Sequence, residues 1–358
     1  MVKKSEVKSP KQKGRLVRQI GLWALAALAA FVLVSAGLMW RYDQWHKNDP
    51  EVIGVSFSQV QAERYGVDWK ANYTSLLDDL GVKHLRLAAY WDRIEPGPDR
   101  YDFSETDWML EEAAKRGAKV KLVIGQKLIR YPECFYPSWL DRNNPDEVET
   151  RANKMLRVVV ERYKDSPAIE SWQLENEFLL HSFGECPAVN LTNAKLAHEL
   201  KTVRSVDTKH PIILTQSNQH GFPTLGPNAD YYGFSMYRKV WNSTSGYFTY
   251  PQRGVFNWWK AALTESYRPT TVTIHELQGE AWGPKGNEHL SWEEAQVSMN
   301  PAQLADNVAY ARETRIKQFD LWGSEWWYWL KTTQNHPEMW DAARQYFSNE
   351  LATDTRKT

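Results

Sequence analysis

Two short segments end apolar runs on acidic residues. One is ESWQLENEF, residues 170–178, which runs through Glu175, Asn176 and Glu177. The other is TVTIHELQ, residues 271–278, which carries His275 and Glu276. A buried strand is not stabilised by ending on carboxylates, because burying a charge is costly unless it is paired. Two carboxyl groups on either side of a bond can instead do chemistry: one protonates a departing oxygen while the other attacks or activates water. Glu177 and Glu276 are the candidates for that pair. Glu175 lies inside its strand and reads as a buried structural group, and Glu280 in HELQGEAW lies past its strand in a glycine-containing turn as the rival to Glu276. The sequence contains no HExxH, P-loop or GxGxxG motif, so no metal or cofactor is expected.

The elements that must position these groups follow from Glu51 onward. Short β-branched runs alternate with amphipathic runs: VIGVSFS, HLRLAAY, KVKLVIG, IESWQLENE, PIILTQS, YYGFSMY, TVTIHE and FDLWGSEWW read as strands. Helical runs such as DWKANYTSLLDDLG and ETDWMLEEAAKRG stop at Gly81 and Gly117, as helices commonly do. Little helix is expected between the fifth and sixth strands. Eight βα units over residues 51–350 predict an α/β protein with a (β/α)₈ TIM barrel, whose active site lies at the C-terminal ends of the strands. Those ends are unusually polar. Strand two ends near Arg86 and runs into YWDRIEP, strand three gives Gln126 and Lys127, and strand five gives Gln216, Asn218 and His220. Tyr237 ends strand six, and Trp322, Glu325 and Trp326 end strand eight. Strands four and seven lie roughly opposite in an eight-stranded barrel, so Glu177 and Glu276 would face each other across its mouth.

WQLENE and TVTIHELQ resemble the acid/base and nucleophile strand ends of the clan A glycoside hydrolases, which include families five, ten, thirty-five and forty-two. HLRLAAYWDRIEPGPDRYDF is similar to the strand-two region of that clan, and LWGSEWWYW to its strand-eight end. The resemblance implies a retaining β-glycoside hydrolase. It assigns Glu177 as acid/base, Glu276 as nucleophile and Asn176 as the ligand of the sugar 2-hydroxyl. Tyr237 and Arg86 support the nucleophile and Trp322 is a sugar platform. Trp91, in the strand-two segment, and His220, which alternatively is a core or loop residue, are further substrate-binding candidates. It also implies a cis Trp322–Gly323 peptide. Two other readings are compatible with the same residues: a non-catalytic glycan receptor on the same barrel, and a transglycosylase.

Composition agrees with a sugar-handling, exported chain. Lys plus Arg and Asp plus Glu each number 44, so no basic face for nucleic acid is indicated. The 18 Trp are enough to fill a core and still line a cleft; individually Trp259, Trp282, Trp327 and Trp329 read as packing. Residues 1–19 form a basic tail, with Lys3, Lys4, Lys8, Lys11, Lys13, Arg15 and Arg18 against a lone Glu6. Residues 20–40, IGLWALAALAAFVLVSAGLMW, carry no charge and are long enough to span a bilayer. The basic flank should remain cytoplasmic, which makes the segment a single-pass anchor with the barrel outside. The alternative is cleavage after Val34-Ser35-Ala36 and secretion. Residues 41–50 read as a polar link and 351–358 as a frayed tail. The two cysteines, Cys134 and Cys186, fall on loops after adjacent strands, where an oxidising compartment permits a disulfide.

Overall fold

The computed structural model describes residues 10–180, 184, 186, 192–217 and 226–354, with side chains described between residues 18 and 347. His220 lies outside the described residues. The chain divides into two units, Met1–Asn48 and Asp49–Thr358. The first contains helix α1, Pro10–His46. Its Arg18–His46 portion is long and apolar enough to cross a membrane, and helix rather than polar link continues through residues 41–46.

In the second unit the barrel strands are β1 (Val52–Ser56), β2 (His84–Ala88), β3 (Lys119–Ile124), β4 (Ile169–Leu174), β5 (Ile212–Gln216) and β6 (Tyr231–Met236). A hairpin that periodicity did not predict follows, β7 (Lys239–Asn242) with β8 (Gly246–Thr249). The last barrel strands are β9 (Thr271–Gln278) and β10 (Gln318–Trp322). They close in the order β1-β10-β9-β6-β5-β4-β3-β2, every neighbouring pair parallel. Helices α2 (Gln59–Arg64), α3 (Trp69–Asp78), α4 (Trp91–Ile94), α5 (Ser104–Lys115), α6 (Pro145–Tyr163) and α7 (Asn193–Val206) fall between the earlier strands. Helices α8 (Gly254–Tyr267), α9 (Trp292–Gln296), α10 (Pro301–Glu313), α11 (Ser324–Thr333) and α12 (Glu338–Asp354) complete the unit. The strands are buried almost throughout, as parallel strands covered on both faces must be. Local chemistry sets the helix starts. Asn144 and Asn300 accept backbone N–H groups at the head of α6 and α10, each followed by Pro at the first position.

Three expectations change. The eighth strand stops at Trp322 rather than continuing through Trp326, because Gly323 takes φ 128° and Ser324 opens α11. Glu325 and Trp326 therefore sit on a helix. The Trp322–Gly323 peptide is trans: among the described residues the only cis bond is Tyr131–Pro132. Gly323 makes the turn through a conformation that side chains disfavour, so the chain direction changes without a cis bond. Helix α12 also reaches Asp354, past the expected start of the tail.

The end of β4 is clamped from the β3 side. Glu175 is fully buried, and its carboxylate accepts the backbone N–H of Gln126 at 2.9 Å and of Lys127 at 2.6 Å. Gly125 adopts φ 137° directly against that carboxylate, where any Cβ would collide with it. Glu175 pairs further with buried Glu199 of α7, whose carboxyl is pushed well up by burial and by Glu175 beside it. Cys134 and Cys186 form a disulfide, with Cα atoms 5.2 Å apart, that ties the β3–α6 loop to the β4–α7 loop. Removing it with a Cys134→Ser, Cys186→Ser pair should cost about 2–4 kcal/mol in denaturant unfolding. Glu175→Gln, which turns an amide N–H toward backbone donors, should cost about 2–3 kcal/mol. Unchanged unfolding midpoints would show that neither feature holds the rim.

Candidate active site

Arg86, at the centre of β2, is completely buried and spends its guanidinium on the ends of three other strands, β1, β4 and β9. Its Nε donates to Gln173 Oε1 at 2.6 Å, and its Nη1 to Ser56 Oγ at 3.2 Å and to the His275 carbonyl at 3.3 Å. The same Nη1 reaches Glu276 Oε1 at 3.1 Å, while Nη2 donates to Asn176 Oδ1 at 2.5 Å. Tyr237 closes the other side of Glu276, its hydroxyl donating to Oε2 at 2.8 Å. Burial, and then the nearby Glu276 charge, push the Tyr237 pKa up, which keeps it a donor. Arg86, Asn176, Tyr237 and Glu276 are thus brought into one bonded group.

Glu177 stands across from them. Its backbone takes φ 44°, a left-handed conformation that a side chain adopts at a cost. That strain is held by the Glu177 N–H donating to Thr215 Oγ1 at 2.9 Å and by Lys127 Nζ donating to the Glu177 carbonyl at 3.2 Å. Burial pushes the Glu177 carboxyl above the usual carboxylate range, opposed in part by Lys127 and Arg86. His275 lies between the two carboxylates, its Nε2 3.7 Å from an oxygen of each. Burial pushes its pKa down to about 3, so the imidazole is neutral. One ligand atom from each of Glu177, His275 and Glu276 lies within 4.8 Å of the others. Such a cluster could converge on a cation, but the Arg86 guanidinium already supplies a positive charge to Glu276 there.

These groups open into a cavity of about 740 Å³, lined also by Glu133, Arg130, Tyr250, Glu280, Trp282 and Trp322. Trp322 lines it as expected. Trp91 does not: it is fully buried in α4 and donates its Nε1 to Glu95 Oε2 at 2.7 Å. The turn after β2 points its ring into packing against Tyr136 instead of the mouth. Gln126 is likewise turned away, bonding Glu199. Glu280 accepts from Arg130 Nη1 at 2.6 Å and from Trp322 Nε1 at 2.9 Å, so its charge is already matched at the wall.

Glu133 and Trp282 are among the lining residues that escaped sequence reading. Glu133, buried beside Lys127 Nζ at 2.7 Å, is pushed up to about 7 by burial, with Lys127 opposing. Trp282, read as packing, lines the cavity edge-on to Tyr237, with ring centroids 5.0 Å apart. Neither lies at a strand end, and only its place beside Cys134 marks Glu133 in the sequence.

Comparison with known proteins agrees with this geometry. Over parts of its length the chain is 26% identical to the β-galactosidase LacZ of Heyndrickxia coagulans, covering 33% of this chain and 20% of that protein. It is 28% identical to a β-1,4-xylanase of Dictyoglomus thermophilum, covering 36% of this chain and 32% of the xylanase. The matched part therefore spans a third or less of these curated relatives. Among solved structures, the exo-β-1,4-mannosidase Op5Man5 of Opitutaceae bacterium strain TAV5 superposes with a TM-score of 0.53 at 16% identity, over 76% of this chain and 51% of that one. Endo-glycoceramidase II of Rhodococcus sp. gives 0.53 at 15% identity, over 77% and 73%. The family model described as cellulase, glycosyl hydrolase family 5, matches residues 47–317. With most of the chain covered by that match, and a closed (β/α)₈ barrel carrying it, the chain belongs to glycosyl hydrolase family 5.

Proposed function

We propose that this chain is a retaining β-glycoside hydrolase, with Glu276 as nucleophile and Glu177 as acid/base. The observation that carries the reading is the spacing of the two carboxyl groups, oxygens of which lie within 4.8 Å of each other. Retaining enzymes hold their carboxyls about 5–5.5 Å apart, whereas inverting ones need about 6.5–9.5 Å to admit a water. Glu276 attacks the anomeric carbon as the bond to the leaving oxygen breaks, and Glu177 gives its proton to that oxygen. Water then loses a proton to Glu177 and attacks the same carbon, releasing Glu276. Burial favours the protonated Glu177 that the first step requires. Esterification of Glu276 removes a neighbouring negative charge and lowers the proton affinity of Glu177, which suits the second step. Asn176, bonded to Arg86 and lining the same cavity, bonds the sugar beside the reacting carbon in this reading.

We also read helix α1 as an anchor through residues 20–40 that leaves the barrel outside the cytoplasm. The charge-free span and its basic flank support this.

Glu276→Ala should lower kcat by at least about 10⁴-fold on any cleaved aryl β-glycoside. Glu177→Ala should slow poor leaving groups by about 10²–10⁴-fold. It should spare activated aryl groups, and added azide should yield a β-glycosyl azide. Because protonated Glu177 is the active form, wild-type kcat/KM should fall as pH rises through its elevated pKa, and this limb should vanish in Glu177→Ala. Normal rates in Glu177→Ala with a dead Glu175→Ala would reverse the choice of carboxylate. Full-length protein should sediment with membranes and resist carbonate extraction; a mature N-terminus at Gly37 would replace the anchor with a cleaved signal.

A further inference from the structure

One end of the cavity is walled by a buried ion cluster. Arg130, in the loop after β3, reaches over the barrel mouth to two other loops. Its Nη1 donates to Glu280 after β9 at 2.6 Å, and its Nη2 to Glu325 in the first turn of α11 at 2.5 Å. Glu325 also accepts the Ser58 backbone N–H after β1. At the rim above, Arg64 of α2 donates to the Tyr131 carbonyl at 3.1 Å. Arg130 and Glu325 are both buried, so separating them would leave an uncompensated buried charge. The wall is built into the fold.

The wall stands close to the reacting carboxylate. The Arg130 guanidinium lies 4.0 Å from the centroid of the Trp322 ring and occupies a face of it. The guanidinium of Arg86, which touches Glu276, is 5.9 Å from the same centroid. Trp322 thus lies within reach of both guanidiniums, the one that holds the nucleophile and the one that builds the wall. Arg130 already covers part of the stacking surface of that ring, which a second sugar would have to displace. Glu177, whose proton goes to the leaving group, ends β4, opposite Trp322 of β10 in the barrel order. The glycone therefore faces the wall and the leaving group faces away from it.

We infer that the site acts in the exo mode: it accepts one terminal non-reducing sugar against the Arg130–Glu280–Glu325 wall and releases it as a monosaccharide. The inference rests on the glycosidase reading above. Its test uses the full chain with the 4-nitrophenyl β-monosides of glucose, galactose, mannose and xylose, together with the matching 4-nitrophenyl β-biosides. With the accepted sugar, the monoside should release 4-nitrophenol at once. The bioside should yield monosaccharide and aryl monoside, with 4-nitrophenol only after a lag. Intact disaccharide with immediate 4-nitrophenol would overturn the exo inference while leaving the hydrolase reading standing; no cleavage of any probe would overturn both. Arg130→Ala should lose at least tenfold in kcat/KM on the monoside and gain immediate 4-nitrophenol release from the bioside. Glu280→Gln, which preserves side-chain volume, should shift the bioside products the same way. Unchanged product patterns in a folded variant would refute the role of the wall.

Discussion

A single buried guanidinium organises the mouth of this barrel. Arg86 has no exposure to solvent, so its charge must be matched by protein groups or the fold would lose several kcal/mol. It is matched by Ser56 from β1, Gln173 and Asn176 from the β4 region, and Glu276 and the His275 carbonyl from β9. One side chain thereby sets the relative positions of strand ends that are far apart in the chain. The same charge stabilises the Glu276 carboxylate beside Glu177, whose own burial favours its protonated form.

A second layer holds the strain that this arrangement creates. Glu175 and Glu177 both take left-handed backbone conformations, φ 59° and 44°, within three residues of one strand end. Such conformations persist only where surrounding bonds overdetermine them. Here Glu175 is gripped by the Gln126 and Lys127 amides, and Glu177 by Thr215 and the Lys127 ammonium. Lys127 in turn pairs with Glu133, and the next residue, Cys134, is bridged to Cys186. The loop after β3 thus supports the acidic end of β4 through backbone contacts, a buried ion pair and a covalent link.

The barrel is shared with solved structures named as an exo-β-1,4-mannosidase and an endo-glycoceramidase, so the barrel alone does not select a sugar. Selection falls to the loops. Arg130 and Glu280 line the cavity, with Glu325 buried behind Arg130, and Trp282 packs against Tyr237. These residues come from connections after three different strands and from the start of α11.

Much of this was legible in the sequence because it depends on local pattern. Eight β-branched runs alternating with amphipathic ones are enough to call for a parallel barrel. Polar residues ending those runs mark Arg86, Asn176, Glu177, Tyr237 and Glu276, since strand direction alone carries strand ends to one rim. A charge-free stretch of membrane length is equally local. What the chain could not declare depends on where side chains point after a turn. Trp91 looked like a cleft residue and turns into the core, whereas Trp282 looked like packing and lines the cleft. Gly323 ended a strand that hydrophobicity alone would have extended, because backbone conformation rather than side-chain character set the limit. Arg130 finds its carboxylates 150 and 195 residues away, and no sequence period reports a bond across that separation. Periodicity specifies which face of an element is buried; only the closed barrel decides which loop residues meet above it.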